Sequence, residues 1–359
     1  MQFSSDNVSP CAPELMEAVR AANAGTARPY GADPATHRLE ARVAEVFERP
    51  AKVHLVATGT AANALALGCL CPPWASVFCH RNAHVEEDEC GAPEFFTGGA
   101  KLTLVGGPHA KIDLSELDRA LRFAARAGVH NAQKGALSLT QATEAGAVYA
   151  PEDVAALAAR ARAEGLPVHM DGTRFANAVA RLGCAPADLS WRAGVDMLCL
   201  GATKNGAMAA EAVILFDESK SWEFELRRKR GGHLHSKMRF MAAQMEAYLT
   251  DGLWLWLGAH ANAMADRLAA GLRGLGAVEI LHPVDANMIF ARFSRAGHRA
   301  LRAAGAEYYL WPFDQSLDGP GEEMLSCRLV CSWSTTEAEV DAFVGALAGG
   351  LAAAQPARA

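Results

Sequence analysis

The chain has 359 residues, enough to bury a large core and to form two domains. Hydrophobic residues make up 51% and charged residues 21%, which excludes a disordered polar chain. The net charge of −6 gives no overall cationic field for nucleic acid, and no apolar run is long enough to span a membrane.

Residues 1–12 read as an extended polar arm carrying Ser4, Ser5, Asp6 and Asn7. The start, Met-Gln-Phe-Ser-Ser-Asp, has neither a basic nor an apolar leader segment, so no secretory signal is expected. Pro13 to about Ala24 predicts a helix with Leu15, Val19 and Ala22 on one face. The loop from Thr26 to Pro34 presents Tyr30 and Gly31, and Asp33-Pro34 opens a helix with Leu39 and Val43 inside.

Next come a strand at 52–57, Thr58-Gly59-Thr60, and an Ala/Leu-rich helix over 60–71. The free N–H groups at a helix start make a ready phosphate site, although Thr58 or Thr60 would serve equally as a plain N-cap. After a strand at 76–79, His84 precedes four consecutive acids, Glu86 to Glu89, which suit a solvated face or a helical first turn. A strand at 101–105, a helix over 113–127 and a strand at 136–140 lead to Glu144, and a helix spans 151–164.

Two strands then end in chemistry-bearing turns. Leu166 to Met170 runs into Asp171-Gly172-Thr173-Arg174. Met197 to Leu200, apolar throughout and so covered on both faces, runs into Gly201-Ala202-Thr203-Lys204-Asn205-Gly206. A lysine and an aspartate at the carboxyl ends of two strands are what pyridoxal phosphate needs: the lysine for a Schiff base, the aspartate to keep the ring nitrogen protonated. Each residue alone has an ordinary reading, a loop lysine or a helix cap.

Beyond Lys204 a strand runs from Ala210 to Phe216, with Glu211 awkward inside it. The basic run Arg227-Arg228-Lys229-Arg230 reads as a solvated face or an oligomer contact. Helices over 236–249 and 254–275 follow, the second with a Met264-Leu268-Leu272 stripe. The rest alternates as strands at 277–281, 287–293, 307–310 and 325–332 with helices over 296–304 and 335–353. The predicted organisation is an arm (1–12), a large domain (13–250) and a connecting helix with a small α+β domain (251–359). The β-α alternation predicts an α/β fold with a mainly parallel sheet and a site at the strand carboxyl ends. Arg328, inside an apolar strand, needs an anionic partner: a substrate carboxylate or an internal acid. The nine cysteines are an odd number with no Cys-x-x-Cys pair, which fits a reducing cytoplasm and no metal site.

Ser5-Asp6, Tyr30-Gly31-Ala32-Asp33-Pro34, Thr58-Gly59-Thr60-Ala61-Ala62-Asn63, His84, Asp171-Gly172-Thr173-Arg174, Thr203-Lys204 and Arg328 occur in one order along the chain. In that order they resemble the low-specificity L-threonine aldolases, within the fold-type I enzymes that use pyridoxal 5'-phosphate. The resemblance implies a seven-stranded sheet flanked by helices. It also implies cleavage of L-threonine, L-allo-threonine and phenylserine-like substrates to glycine and an aldehyde. By the same token Lys204 carries the cofactor, His84 stacks on its ring, Asp171 pairs with its nitrogen, and Thr58, Gly59, Thr60 and Thr203 form the phosphate turn. Arg174 would hold O3′ or the substrate carboxylate, and Arg328 and Ser5 the carboxylate. Many family members carry histidine where Glu144 stands, which makes Glu144 a substrate-pocket candidate. Tyr30 and a cation among Arg230, His235 and Lys237 would reach a neighbouring subunit, in a homodimer or homotetramer. A β-eliminating lyase or aminotransferase shares the lysine, aspartate and phosphate turn. A cofactor-free scaffold would have no reason to keep both Lys204 and Asp171.

Overall fold

The computed structural model describes residues 1–354. In chain order the first part comprises α1 (Pro13–Ala22), α2 (Pro34–Val46), β1 (Lys52–Val56), α3 (Gly59–Leu70), β2 (Ala75–His80), the short α4 (His84–Glu87) and α5 (Ala92–Thr97), and β3 (Lys101–Val105). Then come α6 (Leu114–Ala125), β4 (Gln133–Thr140), α7 (Pro151–Arg162), β5 (Val168–Gly172), α8 (Phe175–Leu182), β6 (Met197–Gly201), β7 (Glu211–Leu215), α9 (Ser221–Arg230) and α10 (Arg239–Tyr248). The chain closes with α11 (Leu253–Gly274), β8 (Glu279–Ile280), β9 (Met288–Ser294), α12 (Arg295–Ala303), β10 (Tyr309–Leu310), β11 (Met324–Val330) and α13 (Glu337–Ala354).

Seven strands form one sheet in the order β1-β7-β6-β5-β4-β2-β3. The pairs from β3 across to β6 are parallel, whereas β7 lies antiparallel between β6 and β1. Every residue of β2, β5, β6 and β7 is buried, as expected for strands covered on both faces. On one face α3 and Phe224 of α9 pack against Val56, Met197, Cys199, Val213 and Leu215. α3 is apolar on nearly every side, and its residues Ala61 through Cys69, with Asn63 the polar exception among them, are all buried, which only a position inside the core permits. The opposite face takes residues from α1, α2, α6, α7, α8 and α10.

A second sheet, in the order β10-β11-β9-β8, is antiparallel and shares a separate core with α11, α12 and α13. The arm enters that core. Phe3 is fully buried, meets Phe343 edge-on at 5.1 Å, and exchanges backbone hydrogen bonds with Glu307 (2.8 Å) and Val330 (2.9 Å).

Most predicted elements are present within a residue or three. The strands expected at 277–281 and 307–310 shrink to the two-residue β8 and β10. α5, α8 and α9 were not expected. α8 is only eight residues long and follows the Asp171 turn directly. α9 is dominated by charge rather than by an apolar stripe. The basic run forms its last turn and is partly turned inward: Arg228 is buried, donating to the Leu55 carbonyl (3.0 Å) and to Glu225 (2.8 Å).

Candidate active site

β5 and β6 are adjacent and parallel, so their carboxyl ends deliver Asp171 and Lys204 to the same edge of the sheet. Two glycines let these ends close up. A Cβ on Gly201 would lie 2.5 Å from the Thr173 carbonyl oxygen, and one on Gly172 would lie 2.8 Å from that of Cys199. Lys204 emerges half-buried into a cavity of about 240 Å³ that Thr58, Gly59, Thr60, Asn63, His84, Thr203 and Glu211 also line. Thr58 caps α3 by accepting from the Ala61 N–H (3.2 Å), so the first turn of α3 presents its free N–H end at this cavity.

Asp171 is 2% exposed and fully engaged. Its Oδ1 accepts from the Thr173 N–H (3.0 Å) and hydroxyl (2.7 Å), and its Oδ2 accepts from Asn63 Nδ2 (3.0 Å). Burial pushes its pKa up, but the charge of His84 and the Thr173 hydrogen bonds outweigh burial and hold it below the ordinary value. It is therefore a fixed anion at the end of β5.

His84 opens α4, and its Nδ1 lies 2.8 Å from Glu89 Oε1. The same Glu89 oxygen accepts from Asn63 Nδ2 at 2.8 Å, so one amide bridges Glu89 and Asp171. Burial would lower the His84 pKa; the Glu89 hydrogen bond and the charges of Asp171 and Glu144 raise it overall. Glu89, 3% exposed, is itself pushed up by burial. The run of four acids suits a solvated face or a helical first turn, but Glu89 turns inward beneath His84. Among the described residues His84, Glu89 and Asp171 are the group whose ligating atoms lie within 4.8 Å of one another, and no cysteine joins them.

Arg174 is not free. It is 6% exposed, and its Nε and Nη2 donate to Asp6 Oδ2 (2.7 Å) and Oδ1 (3.0 Å), while Asn287 donates to the same Oδ2 (3.0 Å). Burial raises the Asp6 pKa, but Arg174 and Lys204 hold it below the ordinary value. Ser5 caps the short turn after it, its Oγ accepting from the Asn7 N–H (3.2 Å). Arg328, on β11, lies over the rings of Trp311 (4.8 Å) and Tyr309 (5.5 Å) and donates to the Ser4 carbonyl (3.4 Å). Its Nε is buried without a partner among the described residues. Burial and the nearby Arg174 lower its pKa, the mark of a cation short of counter-charge. Half-buried Glu144 is felt electrostatically at His84, Arg174 and Arg328.

Tyr30 and His235 lie elsewhere. Tyr30 is 50% exposed, with Lys229 Nζ 4.9 Å over its ring, and its N–H donates to Ser236 O (2.9 Å). His235 is exposed beside it. The two segments expected to cross a subunit boundary thus meet each other on the surface. A larger groove, of about 1120 Å³, lies between α1, α2, α10 and α11 and contains none of the lysine–aspartate cluster.

These residues fit pyridoxal phosphate. The lysine, the flat imidazole and a helix start share one cavity, a buried anion stands behind them, and on β11 Arg328 carries a buried Nε with no partner among the described residues. Sheet order and strand-end pair together define a fold-type I enzyme.

A beta-eliminating lyase family model matches residues 2–296. The low specificity L-threonine aldolase of Pseudomonas sp. (strain NCIMB 10558) is 42% identical over 340 residues, 94% of each chain. That of Pseudomonas aeruginosa is 43% identical over 335 residues, 93% of each. The solved Leishmania major threonine aldolase superposes with a TM-score of 0.89 at 27% identity, covering 96% of this chain and 98% of that one. A Thermus thermophilus aspartate aminotransferase variant, at 17% identity and a TM-score of 0.69, shares the fold. The chain belongs to the beta-eliminating lyase family.

Proposed function

We propose that the protein cleaves L-threonine, L-allo-threonine and related β-hydroxy-α-amino acids, phenylserine among them, to glycine and an aldehyde. The observation that carries this is one cavity holding Lys204, His84 and the Thr58–Thr60 turn, in a chain 42% identical to a threonine aldolase over 94% of its length. Pyridoxal phosphate, when bound, supplies the electron sink for the bond that breaks.

Lys204 would hold the cofactor covalently, and the α3 start with Thr203 would take its phosphate. Asp171, kept ionised by its surroundings, would hold the cofactor's ring nitrogen protonated. Arg174 keeps Nη1 for O3′ or the substrate carboxylate, since Asp6 takes Nε and Nη2. Arg328, which touches the arm at the Ser4 carbonyl, would bind the α-carboxylate together with Ser5, and fixing that group would orient the substrate for cleavage between Cα and Cβ. His84, with Nδ1 tied to Glu89, takes the β-hydroxyl proton at Nε2, directly or through water. The aldehyde leaves as the Cα–Cβ bond breaks, and a proton delivered to Cα completes glycine. Glu144, near His84 and both arginines, faces the substrate.

We also propose a homodimer or homotetramer in the cytoplasm. The exposed Tyr30–Lys229–His235 face and the exposed Phe95, Trp222 and Leu226 support the oligomer. Nine free cysteines support a reducing compartment. No helix among the described residues is long and apolar enough to cross a membrane.

The test is to incubate the purified, cofactor-loaded protein with L-threonine, L-allo-threonine and phenylserine, and to measure glycine and aldehyde. Borohydride reduction and peptide mapping should label Lys204. Release of a 2-oxo acid without glycine would assign elimination or transamination instead.

A further inference from the structure

One buried acid in the site has no part in the chemistry above. Glu211 opens β7, with Val56 of β1 and Gly201 of β6 as its Cα partners on either side. It is 6% exposed, its Oε2 accepts from the Ala202 N–H (3.3 Å), and it lines the same cavity as Lys204 and the Thr58–Thr60 turn. A carboxylate here stands beside the helix start that would take the cofactor's phosphate, and two anions in one small cavity repel. Of the residues lining that cavity, only Lys204 and His84 can carry positive charge.

We propose that Glu211 is a cofactor-site residue that carries its proton while the phosphate is bound, so that loading the cofactor takes up one proton from solvent at this side chain. Neutral Glu211 ceases to compete with the phosphate and becomes a hydrogen-bond donor.

The surroundings support this. Burial pushes the Glu211 carboxyl up to about 7, against the Thr203 hydrogen bond and the charge of Lys204. Asp171, at the end of β5, pushes the same way as burial. Cys199 on β6 and Tyr248 on α10 also face it, and burial raises both so far that they stay neutral. On the β1 side the neighbour is Val56, which is apolar. Lys204 is therefore the one full positive charge close to Glu211 among these groups, and cofactor attachment engages that lysine. An arriving anion then moves Glu211 further toward its protonated form.

The inference rests on the cofactor reading above, and the test separates the two. Apoprotein is titrated with pyridoxal phosphate from about pH 6 to about pH 9, following the absorbance of the lysine adduct. Wild type is compared with Glu211→Gln, a neutral mimic of the protonated acid. The wild-type dissociation constant should rise above pH 7 by up to about tenfold per unit more steeply than that of the variant. Proton uptake at the ring nitrogen is common to both and cancels in the difference. Infrared spectra of the loaded proteins should show a protonated-carboxyl stretch in wild type that the variant lacks. If Glu211→Gln does not fold, Glu211→Ala serves the same comparison. Parallel pH profiles with no difference in that stretch would overturn the role of Glu211 and leave the cofactor reading standing. Failure of every protein to form an adduct on Lys204 would overturn both.

Discussion

The Asp6–Arg174 ion pair should tie the N-terminal arm to the site, alongside the buried Phe3 anchor, and breaking it is a sharp test of how the site is built. Asp6 is 1% exposed and Arg174 6%, and they meet through two hydrogen bonds of 2.7 and 3.0 Å. Asp6→Ala strands a buried guanidinium, a loss of about 3–5 kcal/mol. Asn287 loses one acceptor but keeps the Cys331 carbonyl (2.7 Å), so it adds little. The unfolding equilibrium constant should rise by about two to four orders of magnitude, read from urea denaturation. Replacing both partners by apolar residues (Asp6→Leu with Arg174→Met) should recover much of the loss, because neither charge is then stranded. The Ser4 carbonyl that accepts from Arg328 belongs to the same arm, so Asp6→Ala should also raise KM for threonine. An Asp6→Ala protein as stable as wild type would refute the reasoning, as would a double variant less stable than the single one.

Arg328→Ala should raise KM for threonine by about two orders of magnitude with a smaller change in kcat, since a charged hydrogen-bonded contact to a carboxylate is lost; an unchanged KM would assign the carboxylate elsewhere. Asp171→Asn should keep cofactor affinity, read by absorbance, far better than turnover, because the fixed charge is removed while the shape stays; near-normal turnover would count against the pairing. In the apoprotein His84 and Glu89 both have raised pKa values. Their contribution to stability is therefore complete at low pH. It is lost as pH rises, from above about 4.5 for Glu89 and above about 6.5 for His84. Urea unfolding of wild type and His84→Asn should diverge at about pH 6 and converge by about pH 9, and a constant difference across that range would sink this assignment.

The strand-end chemistry was legible because it is local. An apolar run of five residues followed by a glycine-rich turn reads as a buried strand delivering a side chain, whichever strands lie beside it. Thr58-Gly59-Thr60, Asp171 and Lys204 each follow that pattern, and β-α alternation then demands a mainly parallel sheet with these turns at one edge. Arg328 stood out for the opposite reason: a guanidinium amid apolar strand residues calls for an anionic partner. Among the described residues it finds the Ser4 carbonyl and the Trp311 and Tyr309 rings rather than an acid. What the tertiary structure alone decided is which acids are inside. Asp6 in a polar arm and Glu89 in an acidic run look locally like solvated carboxylates, and Glu211 reads as an awkward acid in an apolar strand with no partner in sight. Each is buried by residues far off in sequence: Asp6 by Arg174 and Asn287, Glu89 by Asn63, and Glu211 by β1 as well as by its near neighbour β6. Burial and charge pairing are sums over non-local neighbours, and no window along the chain contains those neighbours.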